Sequence, residues 1–120
     1  MTRPAPDWLV RLADQPQYCP DGHDGVVNSL LVGRGMQGIE TVSIWHGTIE
    51  PEGHADPHVH PESDQIYIVV SGSIEVGVED ETIRMNVMDT ACIPAGRQHW
   101  LVNREDVRAE VLVVSAPALR

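Results

Sequence analysis

The sequence predicts an all-β fold, a small antiparallel β-barrel preceded by an N-terminal arm. Three observations support this class. Short segments rich in Val and Ile are bounded by Gly, Pro, Asp or Asn, as strands are. Several segments alternate, as over residues 74–79, where apolar side chains are interleaved with mostly polar ones. Aromatic residues make up only 4% of the chain and Phe is absent, so the core must be aliphatic, which favours strands.

The chain has 120 residues, enough for one domain with one core. Residues 1–25 are predicted to form an arm, a short helix plus a loop. Asp7 is a potential N-cap for a helix with Trp8, Leu9 and Leu12 on one face. The prolines and glycines that follow break regular structure. The arm is predicted to cover an edge or the bottom of the barrel, with a lid or a dimer arm as the alternative.

The barrel is predicted over residues 26–115, and residues 116–120 are expected to be a frayed tail. Eight short strands at close spacing are typical of an all-β sandwich or barrel. The predicted strands, in chain order, are Val26–Val32, Ile39–Ile49, Gln65–Val70, Ser73–Val78, Thr82–Met85, Thr90–Ile93, His99–Asn103 and Arg108–Ser115.

Charge and composition exclude several classes of partner. The formal net charge of −10 argues against nucleic acid, because phosphate would be repelled. No cluster of Lys or Arg points to a membrane surface, and no run is long and apolar enough for a membrane span. Cys19 and Cys92 do not form a disulfide framework, and the N-terminus lacks a signal-peptide pattern. We therefore expect free thiols and a cytoplasmic location.

The histidines suggest a metal site. The chain has six, and His58 and His60 are separated by one residue, so on a strand both would point to the same face. Gln65 begins the next apolar run, and His99 precedes a later one. A closed or folded-over sheet can bring these side chains together.

Two segments resemble the conserved motifs of the cupin family. His58–Gln65, which reads HVHPESDQ and is followed by Gly72, resembles the first motif. Pro94–Asn103, which reads PAGRQHWLVN, resembles the second in its form P-x-G-x-x-H-x-x-x-N. Met88 stands where the second motif usually begins with glycine, and Gly53 is displaced by one residue from its usual place in the first.

The resemblance covers roughly residues 39–115 and implies a double-stranded β-helix, or jelly-roll, barrel. It implies one divalent metal ion held by His58, His60, Gln65 and His99. It also implies a small-molecule substrate and, by analogy with other small cupins, a homodimer.

Gln65 is the informative departure, because the family usually has Glu at that position. Glu62 and Asp64 are nearby carboxylates that could substitute for it. The spacing to Gly72 favours Gln65, and the side chain of Asp64 would point to the opposite strand face.

A glutamine ligand changes the expected chemistry. Because Gln is neutral, three imidazoles and an amide leave a divalent site at net +2, which suits a Lewis acid more than a redox centre. The first hypothesis is therefore an isomerase, cyclase or lyase using Ni, Fe, Mn, Co or Zn. A dioxygenase with a redox-active metal is the second hypothesis, and a non-catalytic small-ligand-binding protein is the third.

Tyr67 and Asn103 are two further residues near the motifs. Tyr67 lies two residues after Gln65, on the same strand face, and is the candidate catalytic residue that would donate or accept a proton. A buried tyrosine with a satisfied hydroxyl is the alternative. Asn103 is expected to make structural hydrogen bonds in the barrel.

Four other residues leave their roles open. His46 on a predicted strand and His54 in the predicted loop 51–57 could join the site or lie outside it. His23 is expected in a turn, between two glycines. Arg97 could meet an anionic substrate at the rim, or could be an exposed turn residue.

Overall fold

The computed structural model describes residues 5–119, and the all-β prediction is confirmed. The segments rich in Val and Ile form eight strands, each overlapping the corresponding predicted one. Their bounds are β1 His23–Val32, β2 Ser43–His58, β3 Asp64–Ser71, β4 Ile74–Val78, β5 Glu81–Met85, β6 Thr90–Ile93, β7 His99–Val102 and β8 Ala109–Ala116. In the described chain no helix is long and apolar enough to cross a membrane.

The eight strands form one antiparallel sheet that curls into a nearly closed barrel. The strand order is β5-β4-β7-β2-β8-β3-β6, with β1 paired to the other edge of β2. Strand β2 joins strands β8, β3 and β6 to strands β7, β4 and β5. It pairs with β8 in its first half and with β7 near its end. Inward-facing aliphatic side chains fill the barrel, including Val26, Ile49, Val69, Ile74, Val76, Leu101 and Val111.

Strand β2 differs from the prediction at both ends. It starts at Ser43 rather than Ile39, since a 3-10 turn at Met36–Gly38 precedes it and Gly38 has φ +79°. It also continues through the predicted loop to His58. Residues 50–53 form a bend at which the pairing with β1 jumps from Ile49 to His54.

Close backbone contact explains the glycines at this bend. A Cβ on Gly53 would lie 2.5 Å from the Gly25 carbonyl oxygen and 2.8 Å from that of Glu50, so no side chain fits there. Pro51 and Pro57 lie at the two gaps in the pairing of β2, where a missing N–H breaks no ladder bond. The bend lets β2 pair with β8 before residue 50 and with β7 after residue 53.

The helix predicted after Asp7 is wrong. A single 3-10 turn at Leu12–Asp14 takes its place, with no side-chain cap, and Trp8 is 75% exposed. The segment is instead attached through Tyr18, which forms a β-bridge with Asn28. Residues 1–4 of the predicted arm lie outside the described residues.

The frayed C-terminal tail is also corrected. Strand β8 reaches Ala116, and the next residues are tied to the barrel. The backbone N–H of Leu119 donates to Ser43 Oγ at 3.1 Å, and Ser63 Oγ donates to the Pro117 carbonyl at 2.8 Å. Arg120 lies outside the described residues.

Candidate metal centre

Strand pairing brings the histidines of the two motifs together. His58 at the end of β2 is the direct antiparallel partner of His99 at the start of β7, and their ring centroids are 4.1 Å apart. His60 lies just beyond β2, with its ring 5.1 Å from that of His58 and 5.4 Å from that of His99. The His60 carbonyl accepts a hydrogen bond from the Gly96 N–H at 2.9 Å, which links the first motif to the second.

Backbone carbonyls orient two of the rings. His58 Nδ1 donates to the Asp56 carbonyl at 2.7 Å, and His99 Nδ1 donates to the Arg97 carbonyl at 2.9 Å. A neutral imidazole that carries its proton on Nδ1 keeps a free lone pair on Nε2, the arrangement typical of metal ligands. One nitrogen from each of the three rings lies within 4.8 Å of the others, so His58, His60 and His99 could hold a metal ion.

Gln65 reaches the same point from β3. Its Nε2 donates to Ser115 Oγ at 3.1 Å, which directs Oε1 towards the cluster, 2.7 Å from His99 Nε2. A neutral His99 has one N–H, and the Arg97 carbonyl uses it. Two lone pairs, on Nε2 and Oε1, therefore face each other in a buried site, and a cation between them would satisfy both. The donor set fits a divalent ion.

Burial and mutual repulsion favour the neutral forms of His60 and His99. Desolvation is the main reason that the pKa of His99 falls to about 4; the bond to Arg97 opposes the fall, and the nearby His58 and His60 add to it. The pKa of His60 is also lowered, by burial and then by His58. Neutral imidazoles are the form that binds metals, so protons compete weakly for these two rings.

The family model described as Cupin domain matches residues 45–115, more than half of the chain. The chain belongs to the cupin family. The predicted resemblance is confirmed, and the matched region runs from the start of β2 to the end of β8, which includes all four residues of the cluster.

Three similar proteins share this cupin fold or sequence. Tetracenomycin polyketide synthase protein TcmJ of Streptomyces glaucescens is 26% identical over 98 residues, covering 82% of this chain and 66% of TcmJ, just under two thirds. Beta-D-galactosidase Rv1717 of Mycobacterium tuberculosis is 27% identical over 108 residues, covering 90% of this chain and 92% of that protein. The polyketide cyclase RemF of Streptomyces resistomycificus has a TM-score of 0.78 at 21% identity, over 97% of this chain and 79% of RemF, which shows the shared fold alone.

The two carboxylates considered as alternatives to Gln65 are placed differently in this cupin. Asp64 is exposed, and its Oδ1 accepts a hydrogen bond from the Ala95 N–H at 2.9 Å, so it stabilises the turn of the second motif. Glu62 is exposed in the loop before β3. Of the three candidates, only Gln65 is buried and in contact with His99.

Tyr67 lies beside the cluster, with its ring centroid 5.9 Å from that of His99. It is 3% exposed, and burial raises the pKa of its phenol far above the usual value. The side chain therefore stays protonated at ordinary pH. The phenol can therefore donate a hydrogen bond, whereas its raised pKa disfavours both loss of the proton and a role as a base.

The remaining histidines lie at different distances from the site. His46 faces away, with its Nε2 3.9 Å from Glu110, and His54 lies on β2 beside Asp56, also outside the cluster. His23 is the residue that the sequence interpretation missed. It starts β1, its Nδ1 donates to the Asp21 carbonyl at 2.8 Å, and its ring lies 6.0 Å from that of His58. Its position near the site could have been expected only if β1 had been predicted to start three residues earlier, at His23 instead of Val26.

A cavity of about 360 Å³ opens beside the cluster. His58, His60, Gln65 and Tyr67 lie along its lining, and so do aliphatic residues of the barrel interior. Its size is within the range of small-molecule sites. Arg97, considered as a rim residue, does not line it; its Nε donates to Glu79 at 2.9 Å in an exposed ion pair.

Proposed function

We propose that this cupin is an enzyme that holds one divalent metal ion through His58, His60, Gln65 and His99. It would use the ion as a Lewis acid on a small oxygenated substrate. The expected reaction is an isomerisation, a cyclisation or a lyase-type elimination. The ion would be Ni, Fe, Mn, Co or Zn, each of which can be bound by imidazole and amide donors.

The observation that carries the proposal is the contact between His99 and Gln65. Two lone-pair atoms 2.7 Å apart have no shared proton when His99 is neutral, and the lowered pKa of His99 favours that state. Such an arrangement is unfavourable in a buried site without a cation. The Gln65 amide nitrogen donates to the Ser115 hydroxyl, and in this orientation its amide oxygen faces His99.

A divalent ion held by these neutral donors would polarise a substrate carbonyl and lower the pKa of bound water. The chain's own residues supply the rest. The cavity walls exclude water from the substrate, which strengthens polar interactions in the site. Tyr67 presents a protonated phenol next to His99, and this O–H can donate a hydrogen bond to a substrate oxygen.

The relatives give limited support for this reaction class. TcmJ belongs by name to a polyketide synthase, and RemF is a polyketide cyclase, which agrees with cyclisation. The galactosidase Rv1717 points by name to a hydrolase acting on a sugar, and it matches over nearly its whole length. Hydrolysis assisted by a metal-bound water would use the same Lewis acid.

The metal content of the purified protein tests whether the chain binds one divalent ion, as the proposal requires. Protein purified without chelators should contain one divalent ion per chain by elemental analysis. His60→Ala should lose the ion, because one of three imidazole donors is removed. His54→Ala is the matched control, since that ring lies six residues earlier and outside the cluster, and it should retain the ion. Equal metal content in both variants would contradict the proposal.

Activity separates the three functional hypotheses. Chelation should abolish turnover of a substrate found by screening cyclic ketones, phenols and sugars, and added Ni²⁺ or Zn²⁺ should restore it. A Lewis acid needs no oxygen, so the rate should be the same under nitrogen and air. Oxygen uptake would favour the dioxygenase, and tight binding without any turnover would favour a ligand-binding protein. Turnover by metal-free protein would exclude the proposed mechanism.

A further inference from the structure

The inner face of the barrel carries three adjacent rows of side chains that line up across neighbouring strands. Next to the metal centre, Ser43, Ser115 and Gln65 pair across β2, β8 and β3. Two residues further along these strands, the pairs join Trp45, Val113 and Tyr67 in the same way. Side chains two residues apart share a face, so the second row lies directly beside the row that contains Gln65.

The second row is a broad apolar platform. Trp45 and Tyr67 flank Val113, and neighbouring strands are about 4.8 Å apart, so the two aromatic residues are separated by roughly 10 Å of sheet. All three residues line the cavity. Tyr67 is almost fully buried, whereas Trp45 and Val113 are partly exposed.

In the third row, the side chain of Asn28 occupies the position that a side chain of β2 would otherwise fill. Gly47 pairs with Val111 there and has no side chain to fill the cavity. A Cβ on Gly47 would lie 2.9 Å from the Asn28 side-chain oxygen and 3.2 Å from Val111, so the amide of Asn28 occupies the gap. Besides this amide and the residues of the metal centre, the polar residues that line the cavity are Tyr18, Asp21, His23 and Asp56.

Different ligands need different walls. A polyhydroxylated sugar has hydrogen-bonding groups around its whole ring, and burying them against aliphatic side chains without partners is costly. A flat conjugated ring gains from burial against valine and from stacking on tryptophan. The platform therefore favours the flat ring.

We propose that Trp45, Val113 and Tyr67 form a binding platform for a flat aromatic or conjugated ring, with an oxygen substituent of that ring directed towards Gln65 and His99. The inference rests on the proposed function, and it assigns a substrate class to the same site. Trp45 would be the main determinant of specificity, because it is the largest side chain of the platform and is partly exposed.

Binding of two small probes tests the platform. 2-Naphthol represents an oxygenated flat ring, and methyl β-D-galactoside represents a sugar. Titration calorimetry on Zn²⁺-loaded protein should show 2-naphthol binding at least tenfold more tightly than the galactoside. Trp45→Ala should weaken 2-naphthol binding at least tenfold. Trp8→Ala, which removes an exposed tryptophan outside the cavity, should leave it unchanged.

A second measurement reads the platform without any substitution. In protein with ¹³C-labelled valine methyl groups, 2-naphthol should shift the Val113 methyl resonances through its ring current. Val107, which is 58% exposed and outside the cavity, should not respond. Preference for the galactoside, or an unshifted Val113 on saturation with 2-naphthol, would overturn the inference.

The two proposals fail separately. If the protein retains zinc but the probes do not discriminate, the platform is wrong and the metal proposal stands. If the protein retains none of Ni²⁺, Fe²⁺, Mn²⁺, Co²⁺ and Zn²⁺, the proposed function is wrong. The same titration on zinc-free protein still tests the platform, because the apolar contacts do not require the ion.

Discussion

At the scale of single residues, the defining feature of the site is a pair of facing atoms, His99 Nε2 and Gln65 Oε1, that share no proton when His99 is neutral. His99 is buried, and its one proton is directed to the Arg97 carbonyl. Gln65 is held by Ser115 with its oxygen forward. A glutamate at position 65 could share a proton with His99 or form an ion pair with its imidazolium, but a glutamine cannot. Neutral His99 and Gln65 therefore both present lone pairs that can bind a cation.

The lowered pKa of His99 predicts how the stability of the metal-free protein depends on pH. The pKa of this imidazole is about 4 in the folded protein and 6.5 when it is exposed to water, so between these values the unfolded chain binds more protons. The free energy of unfolding must then fall as the pH falls from about 6.5 towards 4.

Urea denaturation of metal-free protein at pH 7 and pH 4.5 measures this effect. For the wild type, the lowered pKa of His99 corresponds to a loss of unfolding free energy on the order of 3 kcal/mol between pH values above 6.5 and below 4. His99→Gln removes the titrating group, so its free energy of unfolding should fall less between pH 7 and pH 4.5. Identical pH profiles for the two proteins would show that His99 is not the buried neutral group described here.

Gln65→Glu should strengthen metal binding. The substitution adds a carboxylate to a site of neutral donors, so attraction for a divalent ion increases. We expect the ion to be retained at least tenfold more tightly in competition with a chromogenic chelator. Gln17→Glu, on an exposed residue that does not line the cavity, adds the same charge and should have a much smaller effect. An unchanged affinity in Gln65→Glu would indicate that residue 65 does not contact the ion.

The residue-level predictions succeeded where spacing carries the information. His58 and His60 lie close together as their spacing predicted, although His60 lies beyond the end of β2, and Gln65 rather than Asp64 is buried beside His99. The roles of Gln65 as a ligand and of Tyr67 as a catalytic residue stay predictions. His23 was missed because its approach to His58 depends on the pairing of β1 with β2, and no local pattern encodes that pairing.

At the scale of elements, the bend in β2 positions the metal centre. The strand must leave the β8 side of the barrel and meet β7 for His58 to lie opposite His99. Asn103 holds the bend, since its Nδ2 donates to the Ile49 carbonyl at 2.9 Å and to the Val107 carbonyl at 2.8 Å. Its Oδ1 accepts from the Glu105 N–H at 2.9 Å. The structural role predicted for Asn103 agrees with these contacts.

Asn103→Ala should destabilise the fold by about 2–4 kcal/mol, because it leaves buried backbone groups without partners. Chemical denaturation gives the change in the free energy of unfolding. Asn86→Ala removes an exposed turn asparagine that accepts one bond from Ser73, and it should cost less than about 1 kcal/mol. A loss as small for Asn103 as for Asn86 would argue against its role at the bend.

Strand positions were predictable, and strand lengths were less so. The Val-rich and Ile-rich runs located all eight strands. The prolines at 51 and 57 suggested a loop, because proline lacks a ladder donor. Tertiary pairing overrode that local signal by placing each proline at a gap. The helix after Asp7 failed for the opposite reason: its apolar face finds no core to bury it, and Trp8 stays exposed.

At the scale of the whole molecule, the barrel encloses a small cavity with the histidine cluster at one side. The C-terminal residues contribute to it, since Leu119 lines the cavity and is bound to Ser43. This contact could not be predicted from the sequence, because the segment Ala-Pro-Ala-Leu has no periodic pattern. The homodimer and the cytoplasmic location remain predictions; sedimentation velocity would measure the mass of the assembly.

Metal binding should stabilise the whole fold. An ion that binds only the folded state stabilises it by about 2.7 kcal/mol when its free concentration is 100 times its Kd. Calorimetry should therefore show a clear rise in Tm when Zn²⁺ or Ni²⁺ is added to metal-free protein. His99→Gln should show a much smaller rise. An equal rise in both proteins would place the stabilising ion elsewhere.

The central claim is that one divalent ion binds between His58, His60, Gln65 and His99. Anomalous X-ray diffraction from crystals of cobalt-loaded protein tests it most directly, because the anomalous signal locates the ion independently of the protein coordinates. We predict one peak per chain, within about 2.0–2.3 Å of three imidazole nitrogens and the Gln65 amide oxygen. A peak elsewhere, or no peak at the cluster in fully loaded protein, would contradict the claim.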